Sequence, residues 1–310
     1  MLLDASARGV FAIAATPFLP DGALDTASVD RLTDFYLGCG CTGITVLGIL
    51  GEAPKLEPAE SLTVVRQVIK RAGRAQVIVG VSAPGFAAMR SLSRQSMELG
   101  AAGVMIAPPH TARTDDQIVT YYAQAIEAIG TDVRVCVQDH PLAVGTVMSV
   151  PVLRRVFAEL PSCVMLKAED WPGLEKISAI RKAQAEGAMP AISILCGNGG
   201  IFIDFEMERG ADGAMTGYAF PDMLSELVEH AAGGRRDAAH DLFDAHLPLM
   251  RYEQQPGVGL AVRKYLLMRR GAIAHDTQRN PAGRMSAAAL AEVDYLLARL
   301  AERDTRARLG

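Results

Sequence analysis

Cys163-Val164-Met165-Leu166-Lys167-Ala168-Glu169-Asp170 is the stretch on which the interpretation of this sequence depends. Its apolar run has the length and composition of a buried parallel strand, and the lysine comes where that strand ends. Barrels of parallel strands carry their catalytic groups at the carboxyl ends of the strands. Lys167 is therefore a candidate buried nucleophile. The alternative at this stage is a surface lysine that merely caps a strand.

The other lysines are placed differently. The chain has six lysines and 25 arginines. Four of the remaining lysines fall on stretches with helical spacing and one falls in a loop: Lys70, Lys176, Lys182 and Lys264, and Lys55. Lys167 is thus predicted to be the only lysine in the position of a buried nucleophile.

Short apolar runs alternate with longer amphipathic stretches along most of the chain. Strands are predicted at 10–15, 43–48, 76–81, 103–107, 133–138, 163–167, 191–196 and 212–216. Helices are predicted between and after them at 26–38, 58–72, 86–99, 115–129, 149–159, 172–186, 199–209 and 221–232. Several of these helices begin with an N-terminal signal, such as Glu57-Pro58, Ser149 before Pro151, or Trp171-Pro172.

Eight βα units are the number that closes a parallel barrel, so the sequence predicts an α/β fold of the (β/α)8 TIM-barrel type over residues 1–234. A doubly wound nucleotide-binding sheet is the weaker alternative. No GxGxxG follows the first strand, and Gly197-Asn198-Gly199-Gly200 has the wrong position and spacing, so we interpret it as a tight turn. Residues 235–310 are predicted to form a helical extension, with helices near 236–250, 257–270 and 286–303 and a loop at 278–281.

Composition and charge limit the possible functions. Of 310 residues, 50% are hydrophobic and 21% are charged, which is typical of a globular chain with a large core. The 31 basic and 35 acidic residues give a net charge of −4 without a long basic block. Nucleic acid is therefore not an expected partner.

The cysteines and the apolar segments indicate in which cellular compartment the protein is expected. Five cysteines, at 39, 41, 136, 163 and 196, form an odd set without a CxxC pair, and three of them lie in predicted strands. Such thiols are expected to be reduced. No signal-peptide pattern opens the chain and no apolar stretch of about 18 residues occurs, so we expect a cytoplasmic protein with no membrane partner.

Polar residues and glycines gather at the predicted carboxyl ends of the strands. In chain order they are Thr16, Gly48 with Gly51 and Glu52, His110, Gln138 with Asp139, Lys167, Gly197 with Asn198, and Gly217 with Tyr218. All of these ends would face one mouth of the barrel. A buried lysine among glycines and a few polar side chains suits imine chemistry on a small carbonyl compound, because apolar surroundings favour the neutral amine.

These landmarks resemble those of the dihydrodipicolinate synthase and N-acetylneuraminate lyase family over nearly the whole chain. They are Ala15-Thr16-Pro17-Phe18 with Asp21-Gly22, Gly48 to Glu52 with Leu56 and Glu60, Pro108-Pro109-His110, Asp139-His140-Pro141 with Gly145, Lys167, Gly197-Asn198, and Gly210 to Met215. The resemblance implies that Lys167 forms a Schiff base with a 2-oxo acid such as pyruvate. It also implies a homo-oligomer, namely a tetramer of two dimers, and no cofactor beyond the covalent imine.

The chain departs from that family pattern at three places. Gln138 stands where the synthases and sialic acid lyases carry a tyrosine, and a carboxamide cannot relay a proton. Ile49-Leu50 replaces two threonines, and His110-Thr111 replaces a pair of tyrosines. The hydroxyl relay of the lysine-biosynthesis enzyme is therefore missing, which speaks against that activity.

The substitutions resemble one branch, the L-2-keto-3-deoxyarabonate dehydratases. The stretches concerned are Val137 to Pro141 with Gly145-Thr146, Gly213 to Gly217 with Phe220-Pro221-Asp222, and the tail near Glu253 and Arg279-Asn280-Pro281. The resemblance implies elimination of water from a 2-oxo-3-deoxy sugar acid. A pyruvate-releasing aldolase, a condensing synthase and a non-catalytic metabolite-binding barrel remain alternatives.

Roles can be assigned to the remaining mouth residues as hypotheses. His110, Tyr218 and Glu52 are candidates for acid and base work, although each could instead be a surface, packing or capping residue. Gln138 is expected to orient a substrate hydroxyl or the imine. The backbone N–H groups of Ile49 and Leu50 are expected to bind the substrate carboxylate, with Thr16, Gly48, Gly197, Asn198 and Gly217 forming the rest of the pocket.

The histidines do not suggest a metal site. The six histidines lie at 110, 140, 230, 240, 246 and 275, and no HExxH sequence occurs. His240 and His246 are six residues apart and fall on different faces of one predicted helix. A metal-dependent aldolase is therefore disfavoured.

Overall fold

The computed structural model describes residues 1–171 and 173–309. Eight parallel strands within these residues form a closed barrel in sequence order, with the last strand paired to the first. They are β1 (Gly9–Ile13), β2 (Gly43–Val46), β3 (Gln76–Gly80), β4 (Gly103–Ile106), β5 (Val135–Asp139), β6 (Cys163–Ala168), β7 (Ser193–Cys196) and β8 (Gly213–Ala214). The predicted TIM barrel is confirmed.

Helices follow the strands and surround the barrel. They are α1 (Thr26–Gly38), α2 (Pro58–Ala72), α3 (Phe86–Glu98), α4 (Asp115–Ile129), α5 (Pro141–Val144), α6 (Val150–Glu159), α7 (Leu174–Ala185), α8 (Ile203–Glu208) and α9 (Pro221–Ala232). Three further helices come after the eighth βα unit: α10 (Arg236–Glu253), α11 (Gly259–Arg269) and α12 (Ala287–Ala301). No helix in the described part of the chain is long and apolar enough to cross a membrane.

Local sequence explains where several helices begin. The Glu57 side chain accepts a hydrogen bond from the Glu60 N–H, and the Glu57 N–H donates to Oε2 of Glu60. This capping box marks the start of α2 at Pro58. Ser149 accepts a hydrogen bond from the Val152 N–H at the start of α6. Pro172, which we predicted as the first residue of the sixth helix, lies outside the described residues.

Two elements differ from the prediction because of glycine conformations. Residues Asn198–Gly200 form a single 3-10 turn, and α8 begins only at Ile203 instead of at 199. Gly199 and Gly200 have φ of 67° and 76°, and this left-handed backbone cannot continue an α-helix. The short helix α5 was not predicted. It ends after one turn at Gly145, which is also left-handed.

The strand residues divide between two apolar layers. Cys136, Met165 and Leu195 belong to a cluster inside the barrel, whereas their neighbours Val137 and Leu166 pack in the layer between strands and helices. Successive residues of a strand face opposite sides, so every second residue points inward. This alternation decides which side chains reach the mouth of the barrel.

Candidate active site

Lys167 lies on the inward face at the carboxyl end of β6. Met165 is inside the barrel, and Lys167 and Glu169 follow it at intervals of two residues. On the neighbouring strand, Cys136 is inside and Gln138 follows two residues later, paired in register with Lys167. Strand geometry therefore brings an amine, a carboxyl and an amide side chain together.

Glu169 is the centre of this cluster. Its Oε2 lies 2.9 Å from the Nζ of Lys167 and accepts a hydrogen bond of 2.8 Å from the Nε2 of Gln138. The side-chain amide of Asn198 donates to the Glu169 backbone carbonyl at 2.9 Å. All four residues are buried. The carboxylate is thus held directly beside the amine.

The charge state of Glu169 follows from competing effects. Burial by itself raises the pKa of this carboxyl. The positive charge of Lys167, that of His140 at a pH low enough to protonate it, and the hydrogen bonds from Gln138 and Lys167 outweigh burial, so the net pKa lies below that of a free glutamate. Glu169 therefore begins as a carboxylate that can accept a proton from Lys167.

A cavity of about 80 Å³ opens above the lysine. Its wall consists of Ile13, Ile49, Leu50, Gln138, His140, Lys167, Glu169, Asn198, Gly199, Thr216 and Gln254. Pockets for drug-sized ligands have volumes of roughly 300–1,000 Å³. This cavity therefore suits a small organic acid better than a nucleotide.

The turn after β2 forms one wall of the cavity. Gly48 precedes a 3-10 turn at Ile49–Gly51, and both Ile49 and Leu50 line the cavity. Thr16 does not line it but donates from Oγ1 to the Gly51 carbonyl at 2.5 Å, which fixes the turn from behind. Ile49 and Leu50 thus both lie on the cavity wall, and the binding of a carboxylate by their N–H groups stays a prediction.

Glycine is needed at two of the predicted pocket positions because other groups fill the space of a side chain. A Cβ at Gly197 would lie 2.1 Å from the Cγ of Glu169. A Cβ at Gly217 would lie 2.7 Å from Nη1 of Arg263 and 2.9 Å from Cδ1 of Leu50. Neither glycine is itself part of the cavity wall. Each leaves the space that neighbouring side chains occupy, namely Glu169 at Gly197 and Arg263 with Leu50 at Gly217.

The three predicted acid and base candidates lie elsewhere. His110 is exposed in the loop after β4 and does not line the cavity. The hydroxyl of Tyr218 is turned away to His246 Nδ1 at 2.9 Å, and Nε2 of the same histidine contacts Asp304 at 2.9 Å. Burial raises the pKa of Tyr218 well above its usual value. Tyr218 therefore binds the C-terminal segment to the barrel.

Glu52 also differs from its predicted place at the mouth. It is buried with a left-handed backbone, and its Oε1 accepts a bond of 2.5 Å from Lys264. Lys55 and the Arg279 N–H donate to its Oε2 at 2.9 and 3.1 Å. The carboxylate is thus occupied by a buried ion-pair network and does not line the cavity.

Lys264, which was predicted only to lie on an amphipathic helix, is a second buried lysine. Its side chain on α11 is fully buried, donates to Glu52 and to the Thr277 carbonyl, and lies over the ring of Phe18. The helical spacing around it did not reveal this, because a helix packed on all sides has no exposed face. Only Lys167 of these two lines the cavity.

Four polar cavity residues were not among the predicted site residues: His140, Glu169, Thr216 and Gln254. Glu169 and His140 could have been found, because they follow Lys167 and Gln138 at the two-residue interval of a strand. Gln254 gave no such signal. It lies at the end of α10, and only the packing of the C-terminal helices brings it to the mouth.

Within residues 1–171 and 173–309, no group of three or more His, Cys, Asp or Glu side chains is arranged to hold a metal ion. All five cysteines are free thiols.

Comparison with known proteins agrees with this architecture. The model of the dihydrodipicolinate synthetase family matches residues 6–300. The chain belongs to this family. The predicted resemblance is thereby confirmed, and members of the dihydrodipicolinate synthetase family are lyases and synthases that form Schiff bases.

The relatives carry more than one activity in their names. The chain is 32% identical over 279 residues to an L-2-keto-3-deoxyarabonate dehydratase from Azospirillum brasilense, covering 88% of each chain. It is 30% identical over 238 residues to a 4-hydroxy-tetrahydrodipicolinate synthase from Laribacter hongkongensis, covering 74% of this chain and 77% of that one.

A solved structure is more similar in sequence. A dihydrodipicolinate synthase from Rhodopseudomonas palustris is 61% identical, with a TM-score of 0.95 over 96% of this chain and 99% of its own. The comparisons therefore establish the synthetase family, but the names of the relatives do not agree on a substrate.

Proposed function

We propose that this protein is a Schiff-base dehydratase that removes water from a 2-oxo-3-deoxy sugar acid, with a five-carbon acid of the 2-keto-3-deoxyarabonate type as the first candidate. The observation that carries the proposal is the Lys167–Glu169 pair, 2.9 Å apart, with Gln138 beside it. A carboxylate and an amide occupy the site in which the resembling synthases and lyases use a tyrosine. The 32% identity to a dehydratase supports the same conclusion.

Imine formation needs a neutral amine and a place for its proton. Glu169 can take a proton from the Lys167 ammonium, after which Nζ attacks C2 of the 2-oxo acid. Glu169 returns this proton to the C2 oxygen, then takes a second proton from the attached nitrogen and passes it to the same oxygen, which leaves as water. The protonated imine is formed, Glu169 is again a carboxylate, and no separate cofactor is required.

The groups beside the imine favour elimination over aldol cleavage. Aldol cleavage breaks the C3–C4 bond and requires a base at the C4 hydroxyl, which is the task of the tyrosine that Gln138 replaces. Elimination starts with loss of a C3 proton, which the adjacent iminium makes acidic. The C4–O bond then breaks, and the hydroxyl leaves as water. The amide of Gln138 can orient a substrate group without transferring a proton.

The cavity walls support a short polar substrate. The N–H groups of Ile49 and Leu50 can bind the C1 carboxylate at the start of their turn, with Gly48 and Thr16 shaping that turn. Asn198 and Thr216 add polar groups on the side of β7 and β8. Gln254 can contact the hydroxyl-bearing end of the substrate.

Product analysis tests the proposal. The enzyme is incubated with stereoisomeric 2-oxo-3-deoxy pentonates and hexonates, and semialdehyde and pyruvate are measured separately. We expect semialdehyde from one pentonate and little pyruvate. Stoichiometric release of pyruvate would instead show an aldolase. If none of these acids is consumed, the protein is not a dehydratase of this class, and the metabolite-binding alternative is favoured.

Borohydride reduction in the presence of pyruvate tests the imine itself. The protein mass should rise by one reduced adduct, and peptide mapping should locate it on Lys167 and not on the buried Lys264. Lys167→Ala should abolish the adduct. Lys70→Ala, which removes an exposed lysine on α2, is the matched control and should be modified like the wild type.

The synthase names of many relatives favour a condensing enzyme as the second candidate. Its reaction would share the Lys167 imine but would need a proton relay, and Gln138, Ile49 and Leu50 offer no hydroxyl. We further propose that the active form is a cytoplasmic homotetramer. Sedimentation of the purified protein measures its assembly state.

A further inference from the structure

His140 is a cavity residue for which neither the fold nor the Schiff base gives a role. It follows Gln138 by two residues at the end of β5, and it lines the same cavity as Lys167. Its Nδ1 is buried and has no hydrogen-bond partner within the described residues. The nearest charged atom is Oε2 of Glu169 at 3.6 Å, beyond hydrogen-bonding distance.

A buried ring nitrogen without a hydrogen-bond partner costs stability, and a catalytic role is one reason for such a group to be present. We propose that His140 is the catalytic base that removes the C3 proton from the Lys167 imine and then delivers it to the leaving C4 hydroxyl. This inference rests on the proposed function and names the residue that moves the proton in it.

The proposed step balances without a further reactant. The C3–H bond breaks, the imidazole takes the proton, and the electron pair forms the C2–C3 double bond of a neutral enamine. The imidazolium then gives the same proton to the C4 oxygen as the C4–O bond breaks. Water leaves, the conjugated iminium remains on Lys167, and His140 is neutral again.

Glu169 is arranged to assist this transfer without performing it. Its Oε2 already accepts from Lys167 and Gln138, and its Oε1 accepts from the Asn198 N–H at 3.5 Å, so both oxygens of this carboxylate already have partners. When His140 becomes protonated, the Glu169 carboxylate 3.6 Å away stabilises the positive charge of the ring without taking the proton. The carboxylate thus stabilises both the iminium and the imidazolium.

The ordinary ionisation of His140 agrees with a base. Burial lowers the pKa of His140, with Glu169 opposing this effect and Lys167 adding to it. At neutral pH the imidazole is therefore mainly neutral, as proton removal requires.

Proton exchange of pyruvate isolates this step from the rest of the reaction. Pyruvate forms the imine but has no C4 hydroxyl, so removal of a C3 proton in D2O appears only as deuteration of its methyl group by NMR. We expect wild-type enzyme to catalyse exchange and His140→Gln to lose about 10²–10⁴-fold of that rate. Borohydride trapping of pyruvate on Lys167 should persist in this variant. His275→Gln, a half-buried histidine outside the cavity, is the control.

A second variant covers the case in which His140→Gln fails to fold or to trap pyruvate. In His140→Ala, exchange should be restored by free imidazole added to the buffer, because the base is then supplied from solution. Full exchange in His140→Gln, or loss of exchange in Glu169→Gln while borohydride trapping of pyruvate persists in that variant, would overturn the proposal. Failure of the wild type to trap pyruvate would instead remove the imine, and with it the proposed function.

Discussion

Gly197 gives Glu169 the space in which its side chain lies. A Cβ at position 197 would be 2.1 Å from Cγ and 2.5 Å from Cδ and Oε1 of Glu169. The φ of Gly197 is −108°, outside the left-handed region. The carboxylate next to it therefore requires a glycine whatever the conformation of the turn.

Gly197→Ala should consequently impair catalysis more than folding. The new methyl group pushes Glu169 away from Lys167, and overpacking of this kind costs about 1–3 kcal/mol of unfolding free energy. We expect slower imine formation with pyruvate, measured as the rate of borohydride-trapped adduct. Gly38→Ala is the control, because a Cβ there meets nothing within 4 Å. Equal trapping rates in both variants would contradict the role given to Gly197.

Condensation of pyruvate with aspartate semialdehyde should be absent. That reaction needs a hydroxyl relay, and the corresponding positions hold Gln138, Ile49 and Leu50. A coupled assay for the cyclic product should give no rate above background, although pyruvate is still trapped on Lys167. Turnover on the order of 10 per second would show that the synthase name fits this chain.

The buried pair of Glu52 and Lys264 should contribute to stability as a unit. Their side chains are 1% and 0% exposed, and removal of one partner leaves the other charge buried. Lys264→Met should lower the unfolding free energy by about 3 kcal/mol in urea titrations. Glu52→Gln should do the same, and the double variant should cost clearly less than the two single changes together. Strictly additive losses would mean that the two residues do not interact.

The barrel could be predicted from the sequence because each strand and helix carries its own local signal. The starts of α1, α2, α3, α4 and α9 coincide with the predicted residues. Strand ends were less certain, since β8 has only Gly213 and Ala214 in place of the five predicted residues. Its register is decided by the strands on either side, which no local pattern contains.

The site was predictable only in part, for a related reason. Lys167 and Gln138 end apolar runs and so could be identified, and the same strand alternation points to Glu169 and His140. Tyr218 looked equally suitable, but the direction of its hydroxyl depends on His246, and that contact forms only when α10 packs on the barrel. Contacts between distant parts of the chain therefore decided what the sequence left open.

Glu206 should make the folded protein less stable as the pH rises. This buried carboxyl lies on α8, and its Oε2 has no partner within the described residues. Burial raises its pKa from 4.5 to about 7, with a hydrogen bond from Cys196 opposing the shift and the charges of Asp204 and Glu169 adding to it.

The direction of the effect follows from proton binding. Between pH 4.5 and 7 the folded protein holds this proton while the unfolded chain releases it, so the stabilising effect of the proton is complete below pH 4.5 and is lost as the pH approaches 7. The loss amounts to about 1.4 kcal/mol per pH unit within that window. Glu206→Gln carries no titrating proton there. The unfolding free energy of Glu206→Gln minus that of the wild type should therefore increase by about 3 kcal/mol between pH 4.5 and pH 7.5. Urea denaturation at the two pH values measures this difference.

The exposed carboxyl of Glu127 on α4 offers a matched control for the same substitution. Glu127→Gln should change the unfolding free energy by no more than about 0.5 kcal/mol at either pH, because surface substitutions rarely do more. An identical difference between Glu206→Gln and the wild type at both pH values would mean that Glu206 does not titrate in this window. The decline in stability would then belong to other groups, of which Asp139, with a pKa raised by burial to about 6, is the next to test.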